Sequence, residues 1–247
     1  MPQGLGVQLG LGGGRSATAS GAPASFENIY SMAFDGSNDY VGLPDVSDFN
    51  LSTFSWSVWF KLATVSNYKI LVDRSDSNAF EGYTFFMNTD KKIRFCSYKD
   101  TDVITGTTVI SAGTWYHAAC THTAGADRLY VNGALEASGT AGNFAVSSAE
   151  PIRFASSDWF NLYTDGNLDE ISFYDKVLSA GDVDSIWNDG NGPTDLSAFG
   201  PAGWWRMGDG ATWNAGSGIW TIPDVSGNGN AGTSKNMEEA DVVEVVP

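Results

Sequence analysis

The sequence predicts an all-β protein, two antiparallel sheets packed as a sandwich with one short helix, and three observations carry that expectation. Twenty-nine glycines stand beside nine Trp, nine Tyr and fourteen Phe, the composition of short aromatic strands separated by turns. Strand signals recur every eight to twelve residues from Phe26 to about Leu196. The segment FSWSVWFKL (54–62) sets Phe54, Trp56, Val58, Phe60 and Leu62 on one face and Ser55, Ser57, Trp59 and Lys61 on the other. That period of two is the mark of a half-buried strand.

Taken in order, the chain opens with a glycine-rich arm over residues 1–25, which cannot bury enough surface to offset the cost of ordering it. Leu5, Val7, Leu9 and Leu11 nevertheless alternate at period two, so the arm is a candidate for adding as an extended strand to a neighbouring surface. Further strands are predicted at 68–73, 82–88, 91–98, 114–122, 127–133, 150–156 and 167–175. Asn132-Gly133 between DRLYV and ALEAS reads as a two-residue hairpin turn, because both of its positions favour positive φ. In KVLSAGDVDSIWNDG, Ser179 caps a short helix and Asp182 completes a capping-box variant, with Val183, Ile186 and Trp187 on one side and an end near Gly190. The division expected is an arm (1–25), a core (26–196) and C-terminal strands (197–247) that complete or pack on the sandwich, the last of them an edge strand stopped by Pro247.

Charge and cysteine usage narrow the function. Thirteen basic and 29 acidic residues leave a net charge of −16, which argues against a nucleic-acid surface. No stretch reaches the ~18 apolar residues of a membrane-spanning helix, and the N-terminus lacks the order of a secretory signal. Cys96 and Cys120 make at most one bridge and are read as free thiols.

FDGSNDYV (34–41), SWSVWFK (55–61), GTWYHAACTHT (113–123), LYVNG (129–133) and GNLDEISFYDKVLSAGDVDSIW (166–187) stand in the order and spacing of laminin-G-like, concanavalin A-like jelly-roll domains. The resemblance covers about residues 29–190 and implies two sheets of about six or seven strands each. WWRMGDG and WTIPDVSGNGNAGT (204–233) are similar to a segment that in such domains precedes the FDGSNDYV strand. This implies either a permuted closure of the sandwich, the reading preferred because some ~40 residues are too few for a core of their own, or a truncated second unit packed alongside. The organisation of arm, single jelly roll and tail also resembles structural proteins of tailed bacteriophages. It implies a virion protein assembled in the host cytoplasm beside other virion proteins, as a homo-oligomer.

Catalytic groups are scarce. His117 and His122 lie five apart in one strand, on opposite faces, and cannot share a metal; His117 is read as a core histidine. Glycanases of this fold, by resemblance, place two carboxylates on one face of a strand. Asp169 and Glu170 are adjacent and are expected to point to opposite faces, Asp169 sharing the parity of Ile171 and Phe173. No enzyme is therefore expected. Calcium is the ion that relatives of this fold bind, with Asp35, Asp39, Asp169, Glu170, Asp224 and Asn228 as candidate ligands; turn capping by Asp and Asn is the competing explanation.

SSDWFNLYTDG (156–166) sets Trp159, Phe160 and Tyr163 among Asp158 and Asn161, the mixture of aromatic faces and polar side chains a saccharide site needs, with Asn67 and Tyr68 as a thinner set. The expected function is a non-enzymatic virion structural protein (head decoration, fibre or tail appendage) whose jelly roll contacts cell-surface glycans. A free, extracellular bacterial lectin is the alternative, and a glycan hydrolase a third reading.

Overall fold

The computed structural model describes residues 26–43, 49–76, 81–97, 103–140, 151–157 and 161–247. The arm residues Leu5, Val7, Leu9 and Leu11 lie outside them. Nineteen strands are described: β1 (Ser31–Asp35), β2 (Tyr40–Leu43), β3 (Thr53–Leu62), β4 (Lys69–Asp76), β5 (Glu81–Met87), β6 (Ile93–Ser97), β7 (Val103–Thr105), β8 (Trp115–Thr123), β9 (Asp127–Val131) and β10 (Ala134–Gly139) in the first half. They continue with β11 (Ile152–Phe154), β12 (Ser156–Ser157), β13 (Leu162–Tyr163), β14 (Asp165–Tyr174), β15 (Gly203–Trp205), β16 (Thr212–Asn214), β17 (Ile219–Ile222), β18 (Gly232–Lys235) and β19 (Val242–Val243). One α-helix, α1 (Ala180–Trp187), follows β14.

Two antiparallel sheets form the sandwich. The first runs β10-β9-β8-β3-β14-β1-β19, with β15 also beside β14; the second runs β16-β17-β18-β2-β11-β4-β5-β6-β7. At eight and nine strands they exceed the six or seven expected, because the C-terminal segment lends β15 and β19 to the first sheet and β16, β17 and β18 to the second. The Asn132-Gly133 turn joins β9 to β10 with φ of 48° and 75°, as a two-residue hairpin requires.

Rings fill the space between the sheets. Phe173 of the first sheet lies 4.8 Å from both Trp56 and Phe49, and Phe154 of the second lies 5.2 Å from Trp205. The Trp56 indole N–H is satisfied by Tyr83 Oη at 3.0 Å, which removes the cost of burying an unpaired donor. Both cysteines are free, Cys120 fully buried and Cys96 half-buried.

The far face of the first sheet is covered as well. Leu178, Val183 and Ile186, on and beside α1, pack with Leu196 against Ala119, Tyr130, Tyr174 and Trp204. Ser55, Ser57 and Trp59 are buried and not solvated as a half-buried strand predicts, with the Ser55 hydroxyl bonded to Lys176 O and Leu178 N just before α1. The helix starts where expected, with Asp182 N donating to Ser179 Oγ and Ser179 N to the Asp182 carboxylate. Among the described residues, no helix is long and apolar enough to cross a membrane.

Candidate saccharide site at one end of the sandwich

Three connections meet at one end of the sandwich and enclose a pocket of about 310 Å³. The β1–β2 turn supplies Gly36 and Ser37, the β3–β4 connection supplies Asn67 and Tyr68, the start of β4 supplies Lys69, and the β12–β13 hairpin supplies Asn161, Leu162 and Tyr163. The turn is built by Asp35, whose Oδ1 accepts from Ser37 N at 2.7 Å and Asn38 N at 3.3 Å. Gly36 has φ +78°, and a Cβ there would meet Asp165 Cβ at 2.8 Å, so no larger residue lets the turn close against β14. Asn161, which immediately precedes β13, takes a left-handed φ of 47°.

The lining combines the two features that hold a sugar ring. Tyr68 is 41% exposed and is backed by Phe86, ring centroids 6.1 Å apart, so its outer face is a braced apolar platform. The exposed amides of Asn67 and Asn161 and the Ser37 hydroxyl stand around it. Lys69, beneath, is buried, and its ammonium pairs with Asp165.

Of the residues named from sequence for carbohydrate contact, Asn161 and Tyr163 line this pocket together with Asn67 and Tyr68. Asp158, Trp159 and Phe160 lie outside the described residues. Sequence reasoning missed Gly36, Ser37 and Lys69. Gly36 in FDGSNDYV is the local sign of a close approach that would have pointed to this turn.

The candidate calcium ligands are scattered and already engaged. Asp224 accepts three backbone N–H groups, from Trp204 and Ser226 at 2.9 Å each and Asn230 at 3.0 Å. The Asn228 amide donates to Ala202 O at 3.0 Å. Asp39 Oδ2 accepts from Asp35 N at 3.0 Å, and its burial beside Asp35 and Asp241 pushes its pKa up to about 6. Backbone N–H donors take both oxygens of Asp224 and Asp39 Oδ2, so these oxygens as they stand do not fit the several-oxygen shell of Ca²⁺. No group of three or more His, Cys, Asp or Glu among the described residues is arranged to hold a metal.

Asp169 and Glu170 require a correction. They do not point to opposite faces, and Asp169 does not share a face with Ile171 and Phe173. A bulge interrupts the β14–β3 register between Asp169 and Ser172, and Glu170 has φ +45°. Its place has a cause: there the partner of β14 changes from β1, opposite Asp165–Leu168, to β15, opposite Ile171–Phe173. The extra residue turns Leu168 and Ile171 both into the core and both carboxylates outward.

There they meet Arg206 and the segment preceding β1. Arg206 Nε donates to Glu170 Oε1 at 2.8 Å, Trp204 Nε1 donates to Glu170 Oε2, and Asn28 Nδ2 donates to Asp169 Oδ2 at 2.8 Å. Phe26 stacks on Trp204 at 6.2 Å, with the Arg206 guanidinium 4.4 Å over the Phe26 ring. Burial pushes the Glu170 carboxyl up to about 7 despite Arg206, and burial plus the Glu170 charge raises Asp169 well above the usual carboxylate range. Both acids are sealed from solvent, at 0% and 1% exposure. They form a structural pair under a strap, closed to solvent among the described residues.

The histidines face opposite ways as expected. His117 Nε2 meets Ser57 Oγ at 2.7 Å, and its complete burial lowers its pKa to about 3. His122 Nδ1 meets Asp127 Oδ1 at 2.5 Å beside Phe54. Neither lines the pocket.

Among solved structures, a proposed carbohydrate binding protein from Bacteroides ovatus superposes with a TM-score of 0.68 at 13% identity, covering 90% of this chain. This chain spans 60% of that protein's length. A heptameric SAP-like pentraxin from Limulus polyphemus (TM-score 0.53, 16% identity) covers 65% of this chain and 82% of its own. The CBM40 domain of Ruminococcus gnavus IT-sialidase, solved bound to α2,3-sialyllactose (TM-score 0.52, 10% identity), covers 65% and 99%. No curated protein matches the sequence, and nothing in these comparisons links the chain to a bacteriophage particle. The model of the Laminin_G_3 family, the concanavalin A-like lectin/glucanases superfamily, matches residues 35–184, 150 of the 247 residues. On that match, together with the two-sheet topology, the chain belongs to this superfamily.

Proposed function

We propose that the protein is a carbohydrate-binding module without catalytic activity, and that it holds its saccharide in the pocket around Tyr68. The observation that carries this reading is the convergence of three separate connections on one exposed, braced aromatic ring ringed by amides and a hydroxyl. The volume of about 310 Å³ is at the lower end for small-ligand sites and suits one or two sugar rings. Structural neighbours described as carbohydrate binding support the reading. The non-catalytic part rests on the carboxyl pair Asp169–Glu170, which is locked in hydrogen bonds and closed to solvent.

A glycan array of the purified protein tests the proposal. Binding to a defined set of saccharides is expected, and Tyr68→Ala should weaken it at least about tenfold, about 1.4 kcal/mol, with an unchanged melting temperature. Binding that is indifferent to Tyr68→Ala contradicts the site, and release of reducing sugar from any bound glycan contradicts the absence of catalysis. Such a module serves a free extracellular lectin and the adhesive face of a virion protein equally well. The virion placement is supported by the sequence organisation alone and predicts copurification with phage particles.

A further inference from the structure

The geometry points to Asp165 as the residue that fixes the charge class of the ligand: by holding the Lys69 ammonium, it makes the Tyr68 pocket a site for uncharged saccharides. This rests on the pocket being the saccharide site. Lys69 is the one cation among the described residues lining it. Its side chain is 7% exposed and its ammonium is paired with Asp165, itself 21% exposed.

Asp165 is fixed in turn. Thr64 Oγ1 donates to its Oδ2 at 2.7 Å, Ala63 N donates to its carbonyl at 3.0 Å, and the β1–β2 turn closes over it at Gly36. A carboxylate-bearing sugar entering the pocket meets no free positive charge. To take Lys69 it would have to strip a partly buried ion pair and leave Asp165 unpaired, a loss that its own attraction to the ammonium does not exceed. The chain's net charge of −16 adds long-range repulsion of anions. Neutral hydroxyls face no such barrier, because Tyr68, Asn67, Asn161 and Ser37 present a ring face and neutral hydrogen-bonding groups.

Asp165→Asn keeps the shape and an oxygen for Thr64 while removing the charge, so the ammonium becomes available to the ligand. On an array of matched neutral, sialylated and uronate-bearing glycans at low salt, the wild type is expected to favour neutral glycans at least about tenfold. Asp165→Asn is expected to shift the ratio toward anionic glycans by at least about tenfold, and added salt should reverse the shift. Asp165→Asn combined with Lys69→Met should abolish it. Preference of the wild type for anionic glycans, or an unchanged ratio in a folded Asp165→Asn, overturns the inference while leaving the saccharide site intact. Absence of binding to every glycan overturns the reading of the pocket instead. Should Asp165→Asn not fold, the wild-type ratio alone decides the matter.

Discussion

A buried carboxyl group makes stability depend on pH in a direction opposite to ordinary acid unfolding. Asp73 is 3% exposed on β4, accepts from Thr84 Oγ1 at 2.6 Å and Ser75 Oγ at 2.8 Å, and burial pushes its pKa from 3.8 up to about 6. The folded state therefore holds a proton that the unfolded chain releases. Its stabilising contribution is complete below about 3.8 and is lost as pH rises through about 6. Asp39, Asp169 and Glu170 are shifted in the same direction. His117, lowered to about 3, acts against them below about 6.5, where the unfolded chain takes up a proton that the buried ring refuses. With Asp241 also raised, five raised acids outweigh one histidine, so the melting temperature should rise as pH falls from about 7.5 to about 5. Asp73→Asn should remove part of that gain, on the order of 1 kcal/mol. A melting temperature that falls monotonically over this window in calorimetry contradicts the burial of these acids.

At the level of elements, the short helix is the most separable test. Ser179→Ala removes the acceptor for Asp182 N and one half of the capping box, and should cost about 1 kcal/mol in urea unfolding. A loss below about 0.3 kcal/mol would mean that packing of Val183 and Ile186 fixes the helix start without the cap. This cap, the Asn132-Gly133 hairpin and the period-two strands were legible because each depends on neighbours a few residues apart. The bulge at Glu170 was not. Parity reasoning assumes an unbroken ladder, and this one breaks where β14 changes partner from β1 to β15, a matter of pairing between distant segments. The burial of Ser55 was not legible for a related reason, since its hydroxyl is covered by Lys176 O and Leu178 N, from the distant segment that leads into α1. The pocket was half legible: Asn67 with Tyr68 and Asn161 with Tyr163 each stood out locally, but only the folded sheets place them around one cavity.

For the whole molecule, a rigid two-sheet body leaves recognition to the connections at its ends. Strands from the C-terminal segment extend both sheets, with β18 beside β2 and β19 beside β1. The β1–β2 turn that carries Gly36 and Ser37 into the pocket is thus flanked by paired strands on both layers, which holds it without a ligand. A pocket fixed in this way should bind with little change in backbone. The strongly acidic surface favours solubility at high copy number and leaves specificity to local contacts. The most direct measurement is a crystal structure of the protein with the tightest neutral glycan from the array. A sugar ring stacked on Tyr68, its hydroxyls hydrogen-bonded to Asn67 and Asn161 while Lys69 stays paired with Asp165, is the predicted result; a glycan seated on another face, with the Tyr68 pocket filled by solvent, would contradict the account.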